Sequence, residues 1–179
     1  SALKDLYLKG CSSLAKLPDS IGKLDALTRL NLDDCSSLTY PPEERRGNVH
    51  KTVGFCCLSL LEGGDVSAAD VRKSIMNHVI TGGNFGRIDT LASKDPTFSD
   101  IVKGPKEQLE KDFATLRKLR DDDASGALAE YFGDGEDPRE WKSKSWTGKA
   151  VAVADGRVTE LVLYDCTKLT ALPAAIGEL

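Results

Sequence analysis

The chain has 179 residues, 40% hydrophobic and 29% charged, the composition of an ordinary globular protein with room for one or two small domains. A net charge of −4 with scattered Lys and Arg argues against general nucleic-acid binding, which needs a basic face. No apolar run approaches the roughly 20 residues that cross a bilayer, so no membrane contact is expected. There is no signal peptide and no initiator Met, and the chain is expected to be a fragment of a longer protein.

The first 45 residues carry a step of 24, linking Leu3 to Leu27, Leu6 to Leu30, Leu8 to Leu32, Cys11 to Cys35 and Leu14 to Leu38. A third copy lies far away: Val158–Leu179 matches Leu3–Leu24 at an offset of 155, including Leu6/Leu161, Leu17/Leu172, Pro18/Pro173, Ile21/Ile176 and Gly22/Gly177. Fixed apolar and punctuating positions with free residues between them indicate a structural repeat. Leu6 and Leu8 alternate with Asp5, Tyr7 and Lys9, which predicts a short strand with one buried face. Leu14, Leu17, Ile21 and Leu24 are expected to face the core on the return, punctuated by Pro18 and Gly22. A Cys at the inward turn offers a small, weakly donating side chain for backbone groups. The second copy fails where Arg45 and Asn48 fall on the Ile21 and Leu24 slots, because polar groups cannot fill that core.

Through the Gly-Cys-Ser-Ser-Leu run and the Leu-Pro-x-x-Ile-Gly-x-Leu tail, the chain resembles the leucine-rich repeat family, of the 24-residue plant and algal type. That type includes intracellular nucleotide-binding immune receptors and repeat proteins linked to Roco-type GTPase domains. The resemblance implies an α/β fold, with leucine-rich repeat solenoid segments flanking a mainly helical insert and a cap-like β-hairpin. The expected organisation is a partial repeat array over 1–45, a helical linker or insert over 46–137, and a cap hairpin with the first repeat of a second array over 138–179.

In the middle, Val49–Leu61 is mostly apolar and reads as a strand or a buried helix. Ser67 and Asp70 form a capping box with Val66 and Val71 as a staple, predicting a helix that buries Val71, Ile75 and Val79 and stops at Gly82-Gly83. Asp95-Pro96 predicts a further helix running to Gly104. Pro105 is expected to open another, with Leu109, Phe113, Leu116 and Leu119 on one face. The Thr81–Gly86 stretch follows a helix signal and lacks Gly-Lys-Ser/Thr, and Thr147-Gly148-Lys149-Ala150 lacks the upstream Gly, so neither is expected to bind phosphate. His50 and His78 stand apart in sequence and are read as surface or core residues. Asp121, Asp123 and Ser125 fall on calcium-ligand positions of an EF-hand loop, but Phe132 occupies the place of the bidentate Glu. A solvated turn with Ser125 capping a short helix through Tyr131-Phe132 is the favoured reading.

Trp141 and Trp146 are expected in a core. Asp155-Gly156 between alternating apolar runs predicts a hairpin whose second strand enters Leu161-Val162-Leu163. This segment resembles the N-terminal cap of plant-type leucine-rich repeats, without the Cys pair of secreted versions. Five cysteines, none in a CxxC or Cys/His cluster, fit free thiols in a reducing, cytoplasmic setting and no zinc. Two arrays, or one interrupted solenoid, would both accommodate these pieces.

The expected function is non-catalytic protein recognition, with an unidentified protein partner and no cofactor. By the resemblance, the contact residues are the exposed strand positions Asp5, Tyr7, Lys9, Arg29, Asn31, Asp33, Glu160, Val162 and Tyr164. Mixed charge with interspersed Tyr suits a protein partner. Alternatives are a regulatory segment of a larger GTPase or nucleotide-switch protein and a degenerate calcium-responsive module.

Overall fold

The computed structural model describes residues 2–83, 85–141, 150–154, 157–163 and 165–179. The chain divides into two compact units, Ser1–Pro105 and Lys106–Leu179.

In the first unit, strands β1 (Asp5–Tyr7) and β2 (Arg29–Asn31) pair in parallel, with Asp5 opposite Arg29, Leu6 opposite Leu30 and Tyr7 opposite Asn31. The 24-residue step of the sequence is thus the register of this ladder. Each strand turns into a return segment, the first ending in a 3-10 turn at Asp19–Lys23 and the second in one at Glu43–Arg45. Leu17, Ile21, Leu27, Cys35 and Leu38 are buried together with Val53, and Leu6, Leu8, Leu14, Leu24, Leu30 and Leu32 pack around them half-buried. A fully buried Leu or Ile contributes roughly 1.5–3 kcal/mol by leaving water, which makes this cluster the main stabilising element of the strands. The turn thiol acts as expected at the second copy, where Cys35 donates to the Leu8 carbonyl at 3.1 Å, whereas Cys11 of the first copy is exposed.

Where the second copy fails, helix α1 (Val49–Gly63) begins. Asn48, in the slot of a core leucine, is its N-cap and accepts from the His50 and Lys51 backbone N–H groups at 2.7 and 3.3 Å. Gly64, left-handed at φ 75, ends it. The ambiguity of Val49–Leu61 resolves to a buried helix: Val53, Gly54, Cys56, Cys57 and Leu58 lie inside the unit. The backbone at Gly22 approaches α1 so closely that a Cβ there would stand 2.3 Å from the Cys57 nitrogen.

The Ser67 hydroxyl donates to Asp70 Oδ2 at 2.7 Å and accepts the Asp70 backbone N–H at 3.3 Å, which is half of the expected capping box, and the pair closes a turn and not a helix. Helix α2 (Arg72–Ser74) starts later and passes directly into a π-helix, Ile75–Ile80. Val71, Ile75 and Val79 are buried as expected, and Gly83, at φ 69, closes the segment. Helix α3 (Phe85–Ala92) follows. Asp95 caps helix α4 (Pro96–Asp121) by accepting from the Phe98 N–H at 3.0 Å. The expected break at Gly104 does not occur: α4 runs on for 26 residues with Pro105 inside it.

In the second unit, the C-terminal part of α4 buries Leu109, Phe113, Leu116 and Leu119. Helix α5 (Ala127–Phe132) presents Phe132, stacked on Trp141 at 4.7 Å between centroids. Trp141 is a core residue and donates from Nε1 to the Gly135 carbonyl at 2.7 Å. Trp146 and the Asp155-Gly156 turn lie outside the described residues. The flanking strands β3 (Val151–Ala154) and β4 (Arg157–Leu161) pair antiparallel as expected, with an irregularity after Ala152.

The expected α/β leucine-rich repeat solenoid is not what forms. About half the chain is helical, only two sheets of two strands each are present among the described residues, and no solenoid exists. Two physical reasons are visible. Two coils cannot extend a ladder beyond two strands, and the apolar face that a third coil would cover is closed by α1. The distant third copy gives its strand to an antiparallel hairpin, and its apolar frame is poorly buried: Leu172 is 52% exposed where its counterpart Leu17 is 2% exposed.

Candidate functional site

The β1–β2 ladder and the turns that follow it place six of the anticipated contact residues on one row, exposed except at half-buried Asn31. The backbone bonds from Leu8 N–H to Asn31 O and from Gly10 N–H to Asp33 O, both 2.8 Å, hold the register. Because side chains alternate along a strand, Leu6, Leu8 and Leu30 turn inward and Asp5, Tyr7 and Lys9 outward beside Arg29, Asn31 and Asp33.

The row is internally connected. Arg29 Nη1 lies 3.5 Å from Asp5 Oδ2, and the neighbouring Tyr7 hydroxyl, followed by the Asp5 carboxylate, raises the Arg29 pKa. Asn31 donates from Nδ2 to Asp33 Oδ2 at 3.1 Å and accepts the Asp33 backbone N–H at 3.0 Å. Lys9 Nζ stands 3.9 Å from Asp34, a neighbour the sequence pattern did not single out. Such exposed pairs contribute little to stability, but they orient the side chains that bear them. Tyr7 is 60% exposed, unusual for so large a side chain.

The remaining three contact residues do not join this row. Glu160 is exposed on β4, opposite Ala152. Val162, expected to be exposed, is buried, with its N–H bonded to the Ala150 carbonyl at 2.7 Å. Tyr164 lies outside the described residues.

A second polar cluster was not legible as one. The end of α2 and the π-helix turn three side chains onto the carbonyls around the first 3-10 turn: Ser74 to Gly22 at 2.5 Å, Asn77 to Asp25 at 2.8 Å and His78 Nε2 to Leu24 at 3.0 Å. With Nε2–H donating, His78 Nδ1 must accept, so the 3.0 Å contact to His50 Nδ1 requires a proton on the latter. Burial, then the neighbouring His50, lowers the His78 pKa to about 4. Close approach at two glycines makes this possible: a Cβ at Gly54 would stand 2.7 Å from the His78 carbonyl, and one at Gly82 2.6 Å from the His50 carbonyl. Gly82 therefore serves helix packing within the Thr81–Gly86 stretch. The 147–149 part of the other Gly-Lys stretch lies outside the described residues.

The nearby thiols are poor nucleophiles, since burial pushes Cys56 up to about 12 and Cys57 up to about 11. In the acidic corner, Asp123 is the capping group, with Oδ1 accepting from Ser125 N–H and Oγ–H at 3.1 and 2.7 Å and Oδ2 from Leu128 N–H at 2.9 Å. Those bonds to backbone and hydroxyl hold its pKa low. Asp121 is paired with Arg120 at 2.7 Å. No group of three or more His, Cys, Asp and Glu among the described residues is arranged to hold a metal. No described helix is long and apolar enough to cross a membrane.

No protein-family model, curated protein or solved structure matches this chain.

Proposed function

We propose that the chain is a non-catalytic protein-recognition module whose contact face is the exposed row on β1 and β2. The observation that carries this reading is the ladder register, which gathers Asp5, Tyr7, Lys9, Arg29, Asn31 and Asp33 on one surface with Tyr7 largely exposed. Tyr and Arg are the residue types that dominate binding energy at protein interfaces. The contact of Arg29 with Asp5 reduces the freedom lost on binding. The buried thiols and the His78 side chain, engaged with backbone, favour a non-catalytic role. Five free cysteines suit a reducing compartment, and we place the module in the cytoplasm.

Affinity capture with the purified chain tests the reading. Tyr7→Ala and Arg29→Ala, both at exposed positions, should leave the melting temperature nearly unchanged and weaken partner binding about tenfold or more. Partners that bind both variants as well as the unaltered chain would place the contact face elsewhere.

A further inference from the structure

The outer edge of β1 is open. Lys4 O, Leu8 N–H and Gly10 N–H bond toward β2. Alternation along the strand therefore points the backbone groups of Asp5 and Tyr7 away from it, and Lys9 follows in the turn closed by the Cys11 N–H on the Leu8 carbonyl at 3.1 Å. Among the described residues nothing bonds to those groups, and all three residues are exposed. An open row of donors and acceptors is a template for another strand.

The sequence of this edge is self-complementary. In an antiparallel pairing centred on Tyr7, Asp5 faces Lys9 of the second copy, Leu6 faces Leu8, Tyr7 faces Tyr7, and Lys9 faces Asp5. Tyr7 then forms the central hydrogen-bonded pair, because its N–H and C=O groups both point outward, and the charged positions meet through their side chains. Opposite charges meet at both ends of a two-fold arrangement, and the exposed Tyr7 rings meet at its centre. Asp5 retains lone pairs for Lys9 beside its contact with Arg29. Lys9 leaves only an exposed 3.9 Å contact with Asp34.

We propose that the partner of this face is a second copy of the chain, joined edge to edge through antiparallel β1 strands into one four-stranded sheet. The proposal rests on the recognition reading above and commits it to self-association. Sedimentation of the purified full chain up to about 1 mM should show a monomer–dimer equilibrium. Lys9→Asp sets a carboxylate against Asp5 of the second copy at both ends and should weaken dimerisation about tenfold or more, while Asp5→Lys with Lys9→Asp should restore it. A chain that stays monomeric, or a dimer indifferent to both changes, overturns the proposal. A monomeric chain that still loses a different protein partner on Tyr7→Ala would overturn self-pairing while leaving the recognition reading intact.

Discussion

Gly22 and Gly177 hold the same place in two copies of Leu-Pro-x-x-Ile-Gly-x-Leu, yet their surroundings differ completely. A methyl group at Gly22 would meet the Cys57 nitrogen at 2.3 Å and the Cys56 carbonyl carbon at 2.7 Å, both backbone atoms of α1 that cannot swing aside. At Gly177 nothing lies within 4 Å. Gly22→Ala is therefore expected to destabilise by roughly 1–3 kcal/mol, the range of overpacking in a filled core. Gly177→Ala should stay within about 0.5 kcal/mol. Urea midpoints of the two variants decide the matter, and equal shifts would contradict the close approach. The repeat pattern predicts a glycine that punctuates the chain at both places, but a contact with a helix 35 residues downstream has no local signature. The same limit separates Cys35 from Cys11, which share a repeat position although only Cys35 has a carbonyl within reach.

At the scale of elements, most start and stop signals are legible because capping is local chemistry. Asn48 and Asp95 cap α1 and α4 through their own side chains, and Gly64 and Gly83 end segments in the left-handed region. Pro105 misleads. A proline inside a helix removes one hydrogen bond and crowds the preceding turn, at about 3 kcal/mol. Burial of Phe98, Ile101 and Val102 before it, and of Leu109 and Phe113 after it, offsets that cost and keeps α4 continuous. Gly104 is a helix-interior glycine with open space where a Cβ would stand. Gly104→Ala should accordingly stabilise the chain by roughly 0.5–1 kcal/mol, seen as a raised thermal midpoint. A loss of stability on this change would mean that the helix is interrupted there. The late start of α2 is a second local misreading: Ser67 and Asp70 satisfy one another in a turn, and Val71 is the residue that enters the helix.

Across the whole molecule, stability should depend on acidity through His78. Its side chain is buried against His50 of α1 and the Leu24 carbonyl, with Asp25 also near it, and its pKa falls from 6.5 to about 4. A depressed histidine pKa means that the unfolded chain binds a proton more readily than the folded one. The contribution is thus complete above pH 6.5 and is lost as the pH falls from there toward 4. Its upper size is about 3 kcal/mol, because every tenfold loss of proton affinity corresponds to about 1.4 kcal/mol. His78→Gln, which retains a donor for the Leu24 carbonyl, should flatten the stability profile between these values relative to the unaltered chain. Parallel profiles would show that His78 is not the titrating group.

By itself the sequence determined the 24-residue register, the alternation that turns Asp5, Tyr7 and Lys9 outward, and the Asp95 cap that starts α4. All of these follow from forces acting over a few residues or from an exact repeat of spacing. Only the tertiary structure decided what the leucines are buried against. Leu17 and Leu172 match in the repeat frame, yet they differ in exposure from 2% to 52%. Burial depends on what packs over a residue: α1 closes the first two coils, while the third copy pairs its strand with a hairpin partner. Repeats specify coils, but a solenoid also needs enough neighbouring coils to cover each apolar face. Here a helix met that need, and the chain became a mainly helical fold with a short, exposed strand edge.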